Sequence, residues 1–173
     1  AKADGAVAVR LVRRGHFSDN AQSNPLKLRG GGAYYSFSTR LHSYDRVPQI
    51  GFASNKLSTG FHGANYGLMR DLGEIAIPDI EHDDKALLFL KNYTPPTAIA
   101  DIRKEQARRS NYQADGMIFS DALGAVVGHT YLLRSISFSE ADELVALQVL
   151  ALNENGVEFI WKRIKTFPIP LIG

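Results

Sequence analysis

The sequence predicts an α+β fold: a twisted antiparallel β-sheet of about 6–8 strands, with one main helix at about residues 95–110 packed on one face. Three observations lead there. Alternating or β-branched segments recur along the chain. A proline-led segment near the middle has helical character. The last third reads as three consecutive strands joined by short turns. The 173 residues suit one domain able to bury about two thirds of its unfolded surface. The expected unit is therefore 1–173, with an apolar, proline-bearing tail at 167–173.

Ala6 to Val12 ("AVAVRLV") alternates and is rich in valine, as a first strand should be. Residues 15–32 are dense in Gly, Ser, Asn and Pro and read as a loop. The triplet Gly30-Gly31-Gly32 precedes a strand pattern. A phosphate cradle opens a helix, so these glycines read as a turn or bulge entering the sheet. From Ala33 to His42 the period is two. Tyr35, Phe37, Thr39 and Leu41 share one face, and Ser36, Ser38, Arg40 and His42 share the other. Residues 49–61 offer one or two short strands. Residues 68–80 are ambiguous, with Pro78 ending any strand there.

"KALLFL" (85–90) fits either a buried strand or a helical turn. In the helix that follows, Thr94 is the expected N-cap and Pro95 the first helical residue. Asp101 lies early and Arg108 and Arg109 late, which suits the helix dipole. "TYLLRSISF" (130–138) is a strand, and "SEADE" (139–143) reads as a solvated acidic turn. "LVALQVLAL" (144–152) is apolar on both faces, the pattern of a central strand covered on both sides. "NENG" signals a hairpin, and "VEFIWKRIKT" (157–166) is its partner, with Phe159 and Trp161 on one face.

Composition excludes several classes. Twenty basic residues against 18 acidic ones give a net charge of +2, and the basic clusters (10, 13, 14; 103, 104, 108, 109; 162, 163, 165) read as solvated faces, so no nucleic-acid partner is expected. With no cysteine there is no disulfide scaffold or thiol nucleophile. No apolar run approaches the ~20 residues of a membrane span. The start Ala1-Lys2-Ala3-Asp4 points to an exported mature chain or a trimmed end.

His16, His42, His62, His82 and His129 stand singly, so no metal site is expected from spacing. "EHDD" (81–84) reads as an acidic turn. There is no Gly-x-Ser-x-Gly elbow, and His16, Ser18 and Asp19 are too close in the chain to converge as a triad. No cofactor motif is present. "GFHGANYG" (60–67) has the composition of a recognition loop. Together with the polar row of residues 36–42 it supplies the candidate ligand-binding residues: Arg40, His42, His62, Asn65 and Tyr66.

One residue order also resembles a known family. Arg10 or Arg13, then Phe37-Ser38-Thr39, then Glu154 and Glu158 is similar in order to the ADP-ribosyltransferases. That resemblance implies an arginine on the NAD phosphates, a serine motif bracing the site and a glutamate at the nicotinamide ribose. The third serine position is here Arg40, and no Glu-x-Glu is present. The expected function is a non-catalytic interaction or accessory protein with a protein partner or self-association. The alternative is a small enzyme acting on a phosphate- or sugar-bearing ligand, with Arg40, His42 and His62 near its site.

Overall fold

A computed structural model of the chain describes residues 6–12, 32–42 and 47–173. Most of the expected loop at 15–32 lies outside these residues, with His16, Ser18, Asp19, Gly30 and Gly31, as do Arg13 and Arg14. The described strands are β1 (Val7–Val12), β2 (Tyr34–Tyr35), β3 (Ile50–Ala53), β4 (Lys56–Ser58), β5 (Tyr66–Glu74), β6 (Tyr112–Ala114), β7 (Met117–Phe119), β8 (Ala122–Gly124), β9 (His129–Ser137), β10 (Ala141–Asn153) and β11 (Gly156–Thr166). Two helices, α1 (Lys85–Asn92) and α2 (Ile99–Ala107), lie between β5 and β6.

The α+β class and antiparallel pairing hold, but the expected single sheet of 6–8 strands is divided. A five-stranded sheet runs β1-β11-β10-β9-β5, a four-stranded sheet runs β2-β3-β4-β8, and β6 and β7 form a separate hairpin. The reason lies in β10, the central strand. Its side chains alternate between two apolar faces, and each face needs a cover. Val145, Leu147 and Val149 point into a core shared with Tyr35, Phe37, Ile50, Phe52 and Leu57 of the small-sheet layer. Leu144 and Ala146 point the other way, toward Leu87 and Leu90 of α1 and Tyr112 and Phe119 of the hairpin. The result is small sheet, large sheet, then helices and hairpin.

Local chemistry explains the departures from the sequence reading. The expected helix at 95–110 is shorter, Ile99–Ala107, and its N-cap is Ala98 rather than Thr94. Pro96 disfavours helical backbone at Pro95, so the Pro-Pro step stays extended. The run at 85–90 is helical because the Asp84 side chain accepts a hydrogen bond from Leu87 N at 3.0 Å and caps it. The long strand expected over 33–42 ends at Tyr35. Ser36 Oγ accepts from Thr39 N, Ser36 O accepts from Arg40 N, and the chain turns.

The hairpin expected at "NENG" joins β10 to β11, with Asn153 paired to Gly156 and the Asn153 side chain accepting from Asn155 N and Gly156 N. Gly156 is required by proximity: a Cβ there would sit 2.0 Å from Leu11 O of β1. Of the glycine triplet, Gly32 is described. Its φ of +82° suits glycine, and its carbonyl accepts from Val12 N.

Candidate functional site

Two adjacent carboxylates on β10 organise the polar interior. Asp142 and Glu143 were expected in a solvated turn; they are strand residues, 2% and 4% exposed. Neighbours on a strand face opposite ways, so the two belong to different layers.

On the helix side, Asp142 receives both Arg134 Nε (2.6 Å) and Arg134 Nη2 (2.7 Å). Arg134, 1% exposed, also donates through Nη1 to Leu90 O and Tyr93 O, the C-terminal end of α1. Its guanidinium carbon lies 3.3 Å from the centre of the Phe167 ring. Phe167 begins the strap 167–173, which folds back on its own chain. Phe167 N donates to Asp142 O, Ser139 N to Pro170 O, and Gly173 N to Thr97 O. A groove of about 410 Å³ follows the strap, walled by residues 93–97 and 167–171 and floored by Arg134 and Asp142. Pro170 is buried, while Ile169, Leu171 and Ile172 are 56%, 62% and 48% exposed. Ile99, two residues beyond Thr97, adds another apolar side chain at 45%.

Beside the groove lies a tyrosine cluster. Tyr93 OH donates to Glu105 Oε2 (3.2 Å), so the 2.5 Å contact between Tyr66 and Tyr93 has Tyr66 as the donor. Tyr112 also hydrogen-bonds Glu105 and carries Arg108 over its ring at 4.0 Å. Burial, then the hydrogen bond and negative charge of Glu105, push the Tyr112 phenol up to about 12. Burial and neighbouring Glu105 push Tyr66 and Tyr93 higher still.

Below the ordinary phenol value of 10.0 all three are neutral in both states and contribute no pH dependence. Above it the unfolded chain ionises first, so stability is expected to fall from pH 10 upward and to keep falling past pH 12. Urea midpoints measured across the alkaline range check this. A flat profile above pH 10 would contradict the burial of these hydroxyls.

On the opposite face, Glu143 contacts Arg163 Nε at 2.9 Å and accepts from Gln49 Nε2 at 3.2 Å. Gln49 Oε1 in turn accepts from Ser38 N, and Ser36 Oγ bonds Ser38 Oγ. Arg163 Nη2 donates to Phe37 O. The turn bearing the candidate residues is thus tied through Gln49 to the central strand. Arg40 is exposed, has φ +59°, and lies 5.7 Å from the Trp161 ring centre. His42 packs edge-on against Tyr35, and its Nε2 meets Arg10 O at 3.0 Å. Arg40 and His42 therefore border one aromatic cluster of Tyr35, Phe37 and Trp161.

The other candidates belong to a different environment. Asn65 Oδ1 accepts from Phe138 N, and Asn65 O accepts from Gln106 Nε2. Tyr66 is buried in the tyrosine cluster, and His62 is exposed in the preceding loop. Of the transferase-like order, Arg10 and Glu158 are cross-strand partners 4.0 Å apart, and Ser38 and Thr39 sit in a turn.

Sequence reasoning missed Arg134, Asp142, Glu143 and Arg163, because their pairing joins separate strands. It also missed a pair between His129 Nδ1 and the two Asp71 carboxylate oxygens, at 3.0 and 2.9 Å, which ties β9 to β5. Among the described residues no group of three or more His, Asp or Glu is placed to hold a metal ion. Among the described residues no helix is long and apolar enough to cross a membrane. Comparison of the chain with protein-family models, with curated proteins and with solved structures finds no match.

Proposed function

We propose that the protein is a non-catalytic docking protein and that the strap 167–173 is its contact element. The carrying observation is the strap's two-sided character. Phe167 and Pro170 anchor it, and Ile169, Leu171 and Ile172 are held outward on a segment without a charged side chain. Outward apolar side chains on an anchored, proline-stiffened segment support recognition, because little chain entropy remains to be lost when a partner covers them. The chemistry fits a partner polypeptide offering an apolar groove to an extended segment.

The test compares the wild-type protein with Leu171→Asp, a change at an exposed position that leaves the anchor intact. Native mass spectrometry of the protein drawn from its source is expected to show a complex heavier than the 19.1 kDa chain. Leu171→Asp is expected to weaken that complex about tenfold or more, because it puts a charge where the partner would cover an apolar side chain. A mass of two chains would make the partner a second copy. A bare wild-type monomer, or a variant that keeps the complex, would overturn the reading.

A further inference from the structure

The helix-side cover of the large sheet does not reach its β1–β11 edge. There a pocket of about 540 Å³ opens between β11 and residues 77–87, within the roughly 300–1,000 Å³ span of small-molecule sites. Ile77, Ile80, Leu87, Ile160 and Ile164 supply most of its wall. The ionisable groups lining it are cationic or imidazole: Lys162, His82 and Arg163. Arg163 contributes wall only, since its guanidinium is committed to Phe37 O and Glu143 on the other face. Lys162 and His82 are exposed at the rim. Glu158, further along the same strand face, is answered by Arg10 at 4.0 Å.

We propose that this pocket binds a small amphipathic anion, its aliphatic body against Ile80, Ile160 and Ile164 and its carboxylate at Lys162 and His82. An apolar cavity with Lys162 and His82 at its rim, and no acidic side chain among its described lining, discriminates twice. The wall rejects a polar body, and the rim rejects a cationic or neutral head relative to an anionic one. Lys162 suits the rim, because its methylenes cover apolar wall while its ammonium remains in water beside the ligand head. The site is independent of the docking reading: the strap begins beyond β11 and lines none of this pocket.

Isothermal titration of the full chain with decanoate, and with decylamine as its cationic counterpart, tests the proposal. Decanoate is expected to bind saturably at one site and decylamine to bind far more weakly. Lys162→Glu, at an exposed position, should weaken decanoate roughly tenfold, the scale of a lost charged hydrogen bond. Ile160→Asp should abolish binding, and Leu171→Asp should leave it unchanged. Absence of saturable binding, equal affinity for the two probes, or indifference to both pocket substitutions would overturn the proposal. So would a wild-type dimer in native mass spectrometry that Ile160→Asp dissolves, because a second copy would then be the occupant.

Discussion

Asp142→Asn is expected to destabilise the fold by about 3–5 kcal/mol, the usual effect of removing one partner from a buried ion pair. The guanidinium of Arg134 would stay 1% exposed with its counter-charge gone. The double substitution Arg134→Met with Asp142→Leu separates charge from packing. It leaves no uncompensated ion, so its loss should be smaller, about 1–3 kcal/mol, from the orphaned carbonyls of Leu90 and Tyr93. Urea denaturation of the three proteins checks both values. A double variant less stable than Asp142→Asn would mean that the pair itself, rather than the stranded charge, governs this region. The strap is affected too, since Phe167 rests on the same guanidinium.

The second large effect is expected at Trp161. It is 1% exposed and packs edge-on against Tyr35 and Phe37, with its Nε1 donating to Tyr35 OH at 3.3 Å. Trp161→Ala should cost about 3–5 kcal/mol, the range for deleting a buried aromatic without collapse of the cavity. Trp161→Phe keeps most of the packing and loses the indole donor, so its loss should be nearer 1 kcal/mol. The chain's one tryptophan is the residue removed, so the transitions are followed by far-ultraviolet circular dichroism. A Trp161→Ala loss below about 1 kcal/mol would mean that the layer formed by the small sheet does not depend on this contact.

Those two residues mark where the sequence could and could not be read. Trp161 and Phe159 were legible as one face of a strand because a strand displays its period in consecutive letters. β10 was legible as a covered central strand for the same reason. Asp142 was not: an acidic residue beside Ser139 and Glu140 looks solvated until Arg134 is brought beside it across a ladder. The helix α1 was hidden in a short apolar run that fits either period, and its cap, Asp84, read as part of an acidic turn. The alternation over 33–42 misled because Ser36 and Ser38 bond their local backbone and Gln49 instead of continuing a ladder. Of the candidate ligand residues, Arg40 and His42 lie in the turn after β2 rather than along one strand face, and both border the Tyr35–Trp161 cluster. Asn65 and Tyr66 were chosen for composition, yet their side chains serve Phe138 N and Tyr93.

The strand order carries a kinetic consequence. β9, β10 and β11 are consecutive in the chain and adjacent in the sheet, so this meander closes through short turns and can nucleate early. β1 pairs with β11, placing Val9 opposite Phe159, and must span almost the whole chain to do so. Closing that loop is entropically the most demanding step of the sheet. During synthesis the first described strand therefore waits, unpaired with its neighbour, until the last one has emerged.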